Sequence, residues 1–128
     1  MKKEKFQVEY VFDKVSLNSL WKQITTNTGL AEWFADNVQI DGDIYTFEWN
    51  KTYQKAKCLD CKTQTKIQFK WIEDDDLDLT FFEFKIAKVE LTGSTSLEIT
   101  DFAETDEKGD AINLWDSQVD ALKRSLGI

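Results

Sequence analysis

Histidine and proline are absent from this chain, and glycine, cysteine and methionine are scarce. Without histidine there is no Ser-His-Asp or Cys-His pair, no HExxH zinc site and no imidazole pH switch. The five glycines are scattered singly, so no glycine-rich phosphate loop can form. No stretch approaches the roughly 18 apolar residues that a membrane span requires. The opening MKKEKFQVEY carries lysines and then alternates, which is not the pattern of a signal peptide. Positive charge is also in deficit: 16 Lys and Arg against 24 Asp and Glu give a formal net charge of −8. Such a balance opposes nucleic-acid binding, which depends on neutralising phosphates, and opposes docking on anionic membranes. The expectation is an acidic, soluble, cytoplasmic protein with no familiar hydrolase apparatus.

What is present is enough for one domain. A chain of 128 residues buries roughly two thirds of its unfolded surface, so no disulfide or metal staple is needed. No repeat, low-complexity tract or linker divides it, and we place a single domain over residues 1–128. Asn50-Lys51-Thr52 matches a glycosylation sequon, which means nothing without secretion.

Hydrophobic periodicity orders the elements. Phe6, Val8, Tyr10 and Phe12 alternate with polar residues as a half-buried strand. The period then lengthens: Ser16 can cap a short helix carrying Leu17, Leu20, Trp21 and Ile24 along one stripe. Thr26-Asn27-Thr28-Gly29 interrupts it, and Leu30, Trp33 and Phe34 suggest a second short helix. From Asn37 the chain reads as an antiparallel meander. Asp41-Gly42 signals a hairpin, Tyr45, Phe47 and Trp49 share a face, and Asn50-Lys51 turns into a strand near Tyr53 to Leu59. Further strands carry Ile67, Phe69 and Trp71, then Phe82, Phe84 and Ile86, then Leu97 and Ile99. The acidic run from Glu73 to Asp76 reads as a loop. A last helix, from about Asp110 to Leu126, presents Ala111, Trp115, Val119, Leu122 and Leu126 at three-and-four spacing.

A curved antiparallel sheet must cover its apolar concave face, and the terminal helix has the stripe to lie across it. We therefore predict an α+β helix-grip fold: a curved seven-stranded antiparallel sheet around the long terminal helix, with two short helices after the first strand. A sheet wrapped around one helix leaves a cavity where side chains do not meet, and small inward residues such as Ala56 and Cys58 widen it.

Leu20-Trp21, Leu30-Ala31-Glu32-Trp33-Phe34, Asp41-Gly42, Phe47-Glu48-Trp49, and later Trp115 and Leu122, together resemble a family. The pattern is similar to START-like proteins of the AHSA1 branch, within the Bet v 1-like (SRPBCC) helix-grip superfamily. The prolines that relatives commonly place before each short helix are missing here. The resemblance implies three classes of function. One is a non-enzymatic module binding an apolar or amphipathic small molecule. Another is a protein-interaction module, because the branch includes the carboxy-terminal domain of Hsp90 ATPase activators. The third is a cyclase- or aromatase-like enzyme, ranked last because histidine is absent.

Candidate site residues follow from parity. Trp33, Trp49, Trp71, Phe82, Trp115 and Val119 are expected to face inward, either as aromatic core or as the wall of a pocket. Asp101 shares parity with Leu97 and Ile99. It is either a polar group in the pocket wall, capable of general-base work, or, as the favoured reading, solvated where alternation lapses. Lys55, Lys57, Lys66 and Lys70 fall on the outer face of one hairpin, as a solvated face or a partner surface. Cys58-Leu59-Asp60-Cys61 matches CxxC, but on a strand the two positions should point to opposite faces. No further Cys or His remains to complete a zinc site, so two free thiols and no cofactor or metal are expected.

Overall fold

The computed structural model describes residues 3–73, 79–89 and 91–128, so most of the acidic run lies outside the described residues. Strand β1 (Lys3–Phe12) leads into helices α1 (Leu17–Thr25) and α2 (Asn27–Trp33). Six strands follow: β2 (Asn37–Asp41), β3 (Ile44–Trp49), β4 (Thr52–Lys62), β5 (Lys66–Trp71), β6 (Phe82–Lys88) and β7 (Thr95–Glu104). A 3₁₀ turn (Thr105–Glu107) then opens helix α3 (Lys108–Leu126). The seven strands form one antiparallel sheet in the order β1-β7-β6-β5-β4-β3-β2. The predicted architecture is the observed one, with α3 starting two residues early.

Local chemistry sets the joints. The Ser16 hydroxyl accepts from the Ser19 N–H at 3.3 Å and starts α1, as expected of an N-cap. Thr26 closes α1 and caps α2, its hydroxyl accepting from the Gly29 N–H at 2.9 Å. Gly29 allows the two helices to meet: a Cβ there would collide with the Lys22 carbonyl and lie 2.6 Å from the Gln23 Cα. Between Trp49 and Thr52, Asn50 and Lys51 both adopt positive φ (49° and 65°), the hairpin geometry that follows strand twist. Gly127, at φ 76°, ends α3 with backbone bonds back to Lys123 and Arg124.

The core lies between the concave face and the helices. Phe12, Phe47, Phe69, Phe82, Phe84, Leu97 and Ile99 from the sheet meet Leu20, Ile24, Leu30 and Leu122 from the helices, each at most 1 % exposed. Leu17, expected on the buried stripe of α1, is exposed, because that first turn projects beyond the core.

The CxxC segment departs from simple alternation. A bulge at Leu59 sets Cys58 opposite Phe69, Asp60 opposite Gln68 and Cys61 opposite Ile67. Two residues then oppose one, the parity resets, and both thiols stand on the face of Phe69 and Ile67 rather than on opposite faces. Both are free.

Candidate functional site

At the end of the sheet where β3 and β5 finish and β4 and β6 begin, the first half of α3 stands off the strands. The gap is a cavity of about 370 Å³, within the range of small-molecule sites. The sheet supplies Trp49, Gln54, Trp71, Phe82 and Asp101 to its wall. Ala111, Leu114, Trp115 and Gln118 of α3 and Phe34 at the end of α2 complete it.

Aromatic packing shapes this wall. Phe34 stacks on Trp115 (centroids 5.8 Å, 14°) and meets Phe47 and Trp49 edge-on at 5.0 and 5.4 Å. Trp71 packs on Phe82 at 4.8 Å and stands 6.1 Å from Trp49. Hydrogen bonds then hold the rings. The Phe34 carbonyl, left over at the end of α2, accepts from Trp49 Nε1 (2.8 Å) and Gln118 Nε2 (3.1 Å). One carbonyl thereby ties α2 to β3 and to α3. Across the sheet, the Tyr10 hydroxyl donates to Asp116 Oδ1 at 2.6 Å and fastens α3 to β1. Burial and that carboxylate push the Tyr10 phenol well above its ordinary range.

Asp101 is the one polar surprise. The favoured sequence reading made it solvated; instead β7 keeps its alternation, with Asp101 opposite buried Phe6 and Ala103 buried beyond it. Its Oδ2 accepts from Trp115 Nε1 at 3.0 Å and its Oδ1 from the Phe102 N–H at 2.8 Å. Among the described residues lining the cavity it is the sole ionisable side chain.

Of the six aromatic and aliphatic candidates, the structure brings Trp49, Trp71, Phe82 and Trp115 together and sets two behind the wall. Trp33 packs on Phe34 and Phe84 (5.6 and 5.5 Å) and its indole donates to the Gln23 carbonyl at 2.7 Å. Those contacts turn it toward α1, beside a shallower neighbouring hollow. Val119, one turn past Trp115, is 1 % exposed and belongs to the packed core rather than to the cavity wall. Sequence reading missed Phe34, Gln54, Ala111, Leu114 and Gln118. Helical spacing around Trp115 could have found Ala111 and Gln118, and strand parity from Ala56 could have found Gln54.

The lysine face is largely matched by local acceptors. Lys66 sits 3.3 Å from Asp60 and 3.7 Å from Glu83, Lys57 lies 3.9 Å from Asp43, and Lys70 donates to the Thr80 carbonyl at 3.1 Å. The thiols fare no better as reactive groups: burial pushes both Cys58 and Cys61 up, away from the thiolate form. No helix among the described residues is long and apolar enough to cross a membrane.

Comparisons with known proteins agree with this architecture. The model of the START-like superfamily domain matches residues 1–128. No functionally curated protein matches. A Bacteroides fragilis protein, BfR322, solved by NMR, is 43% identical over 98% of this chain and 92% of its own, with a TM-score of 0.66. The Aha1 dimer from Colwellia psychrerythraea shares the fold at 18% identity, covering 98% of this chain and 97% of that one, with a TM-score of 0.78. A Mesorhizobium loti protein, MLL2253, does so at 17% identity, covering 94% and 95%, with a TM-score of 0.73. Matched end to end by that family's model and built on its sheet and helix, the chain belongs to the START-like superfamily.

Proposed function

We propose that this protein is a non-enzymatic binding module that holds an apolar or amphipathic small molecule between α3 and the sheet. The observation that carries the reading is the cavity of about 370 Å³ walled by Phe34, Trp49, Trp71, Phe82 and Trp115. Membership supports it, since START-like domains commonly bind hydrophobic ligands. An apolar guest gains roughly 25 cal/mol per Å² of buried apolar area before ordering costs. Leu114, 60 % exposed at the rim, is the natural first contact.

An enzyme of the cyclase kind draws less support, because acid–base work commonly needs a second titratable group and the described lining offers Asp101 alone. A protein-interaction module built on Lys55, Lys57, Lys66 and Lys70 also draws less, since Lys57, Lys66 and Lys70 meet acceptors within the chain.

The test is titration with the neutral probe N-phenyl-1-naphthylamine, followed by tryptophan quenching and native mass spectrometry. Saturable binding of one probe per chain is expected. Ala111→Trp, which fills the cavity from the helix side, should abolish it without lowering the urea midpoint. A wild type that binds no apolar probe, and a variant indistinguishable from it, would sink the proposal.

A further inference from the structure

The sheet leaves one long edge open. Strand β1 pairs with β7 from Lys3 to Phe12 without a bulge, and its other side receives no backbone hydrogen bond from any described residue. We propose that this edge pairs antiparallel with β1 of a second copy of the chain, about a twofold axis at Gln7, so that two chains share one continuous sheet.

An edge strand presents unpaired N–H and C=O groups, and proteins commonly blunt it by short length, proline, a bulge or an inward charge. The opposite edge, β2, is five residues long, and its Val38 N–H donates to the Asn37 side chain at 3.0 Å. Strand β1 is ten residues long and the chain has no proline. Its inward charge, Glu4, is already answered by Thr105 and Lys108.

The outer face of β1 is self-complementary. Lys3, Lys5, Gln7, Glu9 and Val11 alternate along it, all exposed. Residues directly opposite in an antiparallel pair share a face, so a twofold pairing centres on one residue. Centred on Gln7, the pairing runs from residue 3 to residue 11 and sets each Lys5 against Glu9 of the other copy. Lys3 then lies diagonal to that Glu9, with its stem over Val11, which is 46 % exposed. Centring on Phe6 leaves residues 10–12 unpaired, and centring on Val8 forms no charge pair. Within one chain these charges are poorly matched. Glu9 stands opposite Glu98 of β7, and like charges across a ladder repel. Lys3, Lys5 and Glu9 make no ion pair among the described residues, and Lys5 meets only the Phe81 ring, 5.9 Å from its Nζ. A second copy brings a cation to Glu9 on the side away from Glu98.

Sedimentation equilibrium of the full chain tests this, in salt of about 0.15 M to screen the acidic surfaces. The wild type should pass from monomer to dimer between about 1 μM and 1 mM, as a small transient interface does. Lys5→Glu and Glu9→Lys each turn both charge pairs into like pairs and should weaken self-association about tenfold or more. Mixed in equal amounts, the two variants should associate again, because each supplies the charge the other lacks. Mild oxidation of Gln7→Cys should link two chains at that position, read by peptide mapping, since residues on the axis stand within disulfide reach. Should either reversal fail to fold, the cross-link decides. A wild type that stays monomeric, a dimer that neither reversal weakens, a mixture that does not reassociate, or no link at position 7 overturns the proposal. The pocket reading stands or falls separately, on probe binding.

Discussion

Replacing Trp115 by alanine probes how the cavity wall is built. The indole is 6 % exposed, stacks on Phe34 and meets Phe84 edge-on at 5.8 Å. Each such ring pair contributes about 0.5–1.5 kcal/mol beyond area burial. Its N–H donates to the Asp101 carboxylate, and hydrogen bonds to charged groups are worth about 1.5–3 kcal/mol. Large-to-small aromatic truncations in cores cost about 3–5 kcal/mol. One flank of this ring already borders the cavity, so fewer contacts are lost there, and the expected cost is near the lower end, about 3 kcal/mol. Trp115→Phe keeps the stack and removes the N–H, and should cost about 1.5–3 kcal/mol. Urea unfolding at neutral pH, followed by circular dichroism, measures both. Added indole should raise the midpoint of the alanine variant and leave the phenylalanine variant where it was, since only the former has an indole-sized vacancy. A loss below about 1 kcal/mol for alanine, with no indole response, would refute the claim that Trp115 anchors the helical wall.

Further outcomes follow from single positions. Gly29→Ala drives a methyl group into the backbone of α1 and should cost about 1–3 kcal/mol by urea unfolding; an unchanged midpoint would show that the helix corner relaxes freely. Lys51→Gly relieves a non-glycine residue at φ 65° and should stabilise by about 0.5–1 kcal/mol; a destabilised variant would mean that the Lys51 side chain contributes more than the strain it brings. Burial raises the Cys58 and Cys61 thiols and pushes the Tyr45 phenol up to about 12. In each case the charged form is disfavoured in the folded state, so the stability gained is whole below the ordinary thiol value of 9.0 and drains away as pH climbs past it. Urea midpoints that stay level from neutral pH to the onset of phenol ionisation would contradict this. Thiol labelling of the native protein should find two free groups, with exposed Cys61 reacting faster than half-buried Cys58.

Two periodicities made the fold legible before any coordinates. Alternation at Phe6, Val8, Tyr10 and Phe12 and the three-and-four spacing from Ala111 to Leu122 each describe one face of one element, and a face is a local property of the chain. Caps and turns are equally local, which is why the Ser16 cap, the break at Thr26 and the Asn50-Lys51 turn could be placed from neighbouring residues alone. The absence of histidine and the acid excess bounded the chemistry in the same way, without regard to shape.

The site was only half visible because a cavity is set by what fails to touch. Parity put Trp33 and Val119 on inward faces, and they are inward. Whether an inward side chain meets a neighbour or a void depends on how far α3 stands from the strands at that turn. Trp33 was taken by the Gln23 carbonyl and Val119 by the packed core. Phe34 became the centre of the wall through its carbonyl, which no side-chain pattern reports. The bulge at Leu59 turned Cys61 to the face of Cys58 with no glycine to announce it. Asp101 drew its place in the pocket from a partner 14 residues along the chain, the Trp115 indole. Sequence alone determined which faces are apolar, because solvation acts on each residue where it stands. Tertiary structure decided where those faces part, because packing distance belongs to pairs of elements and is written in neither of them.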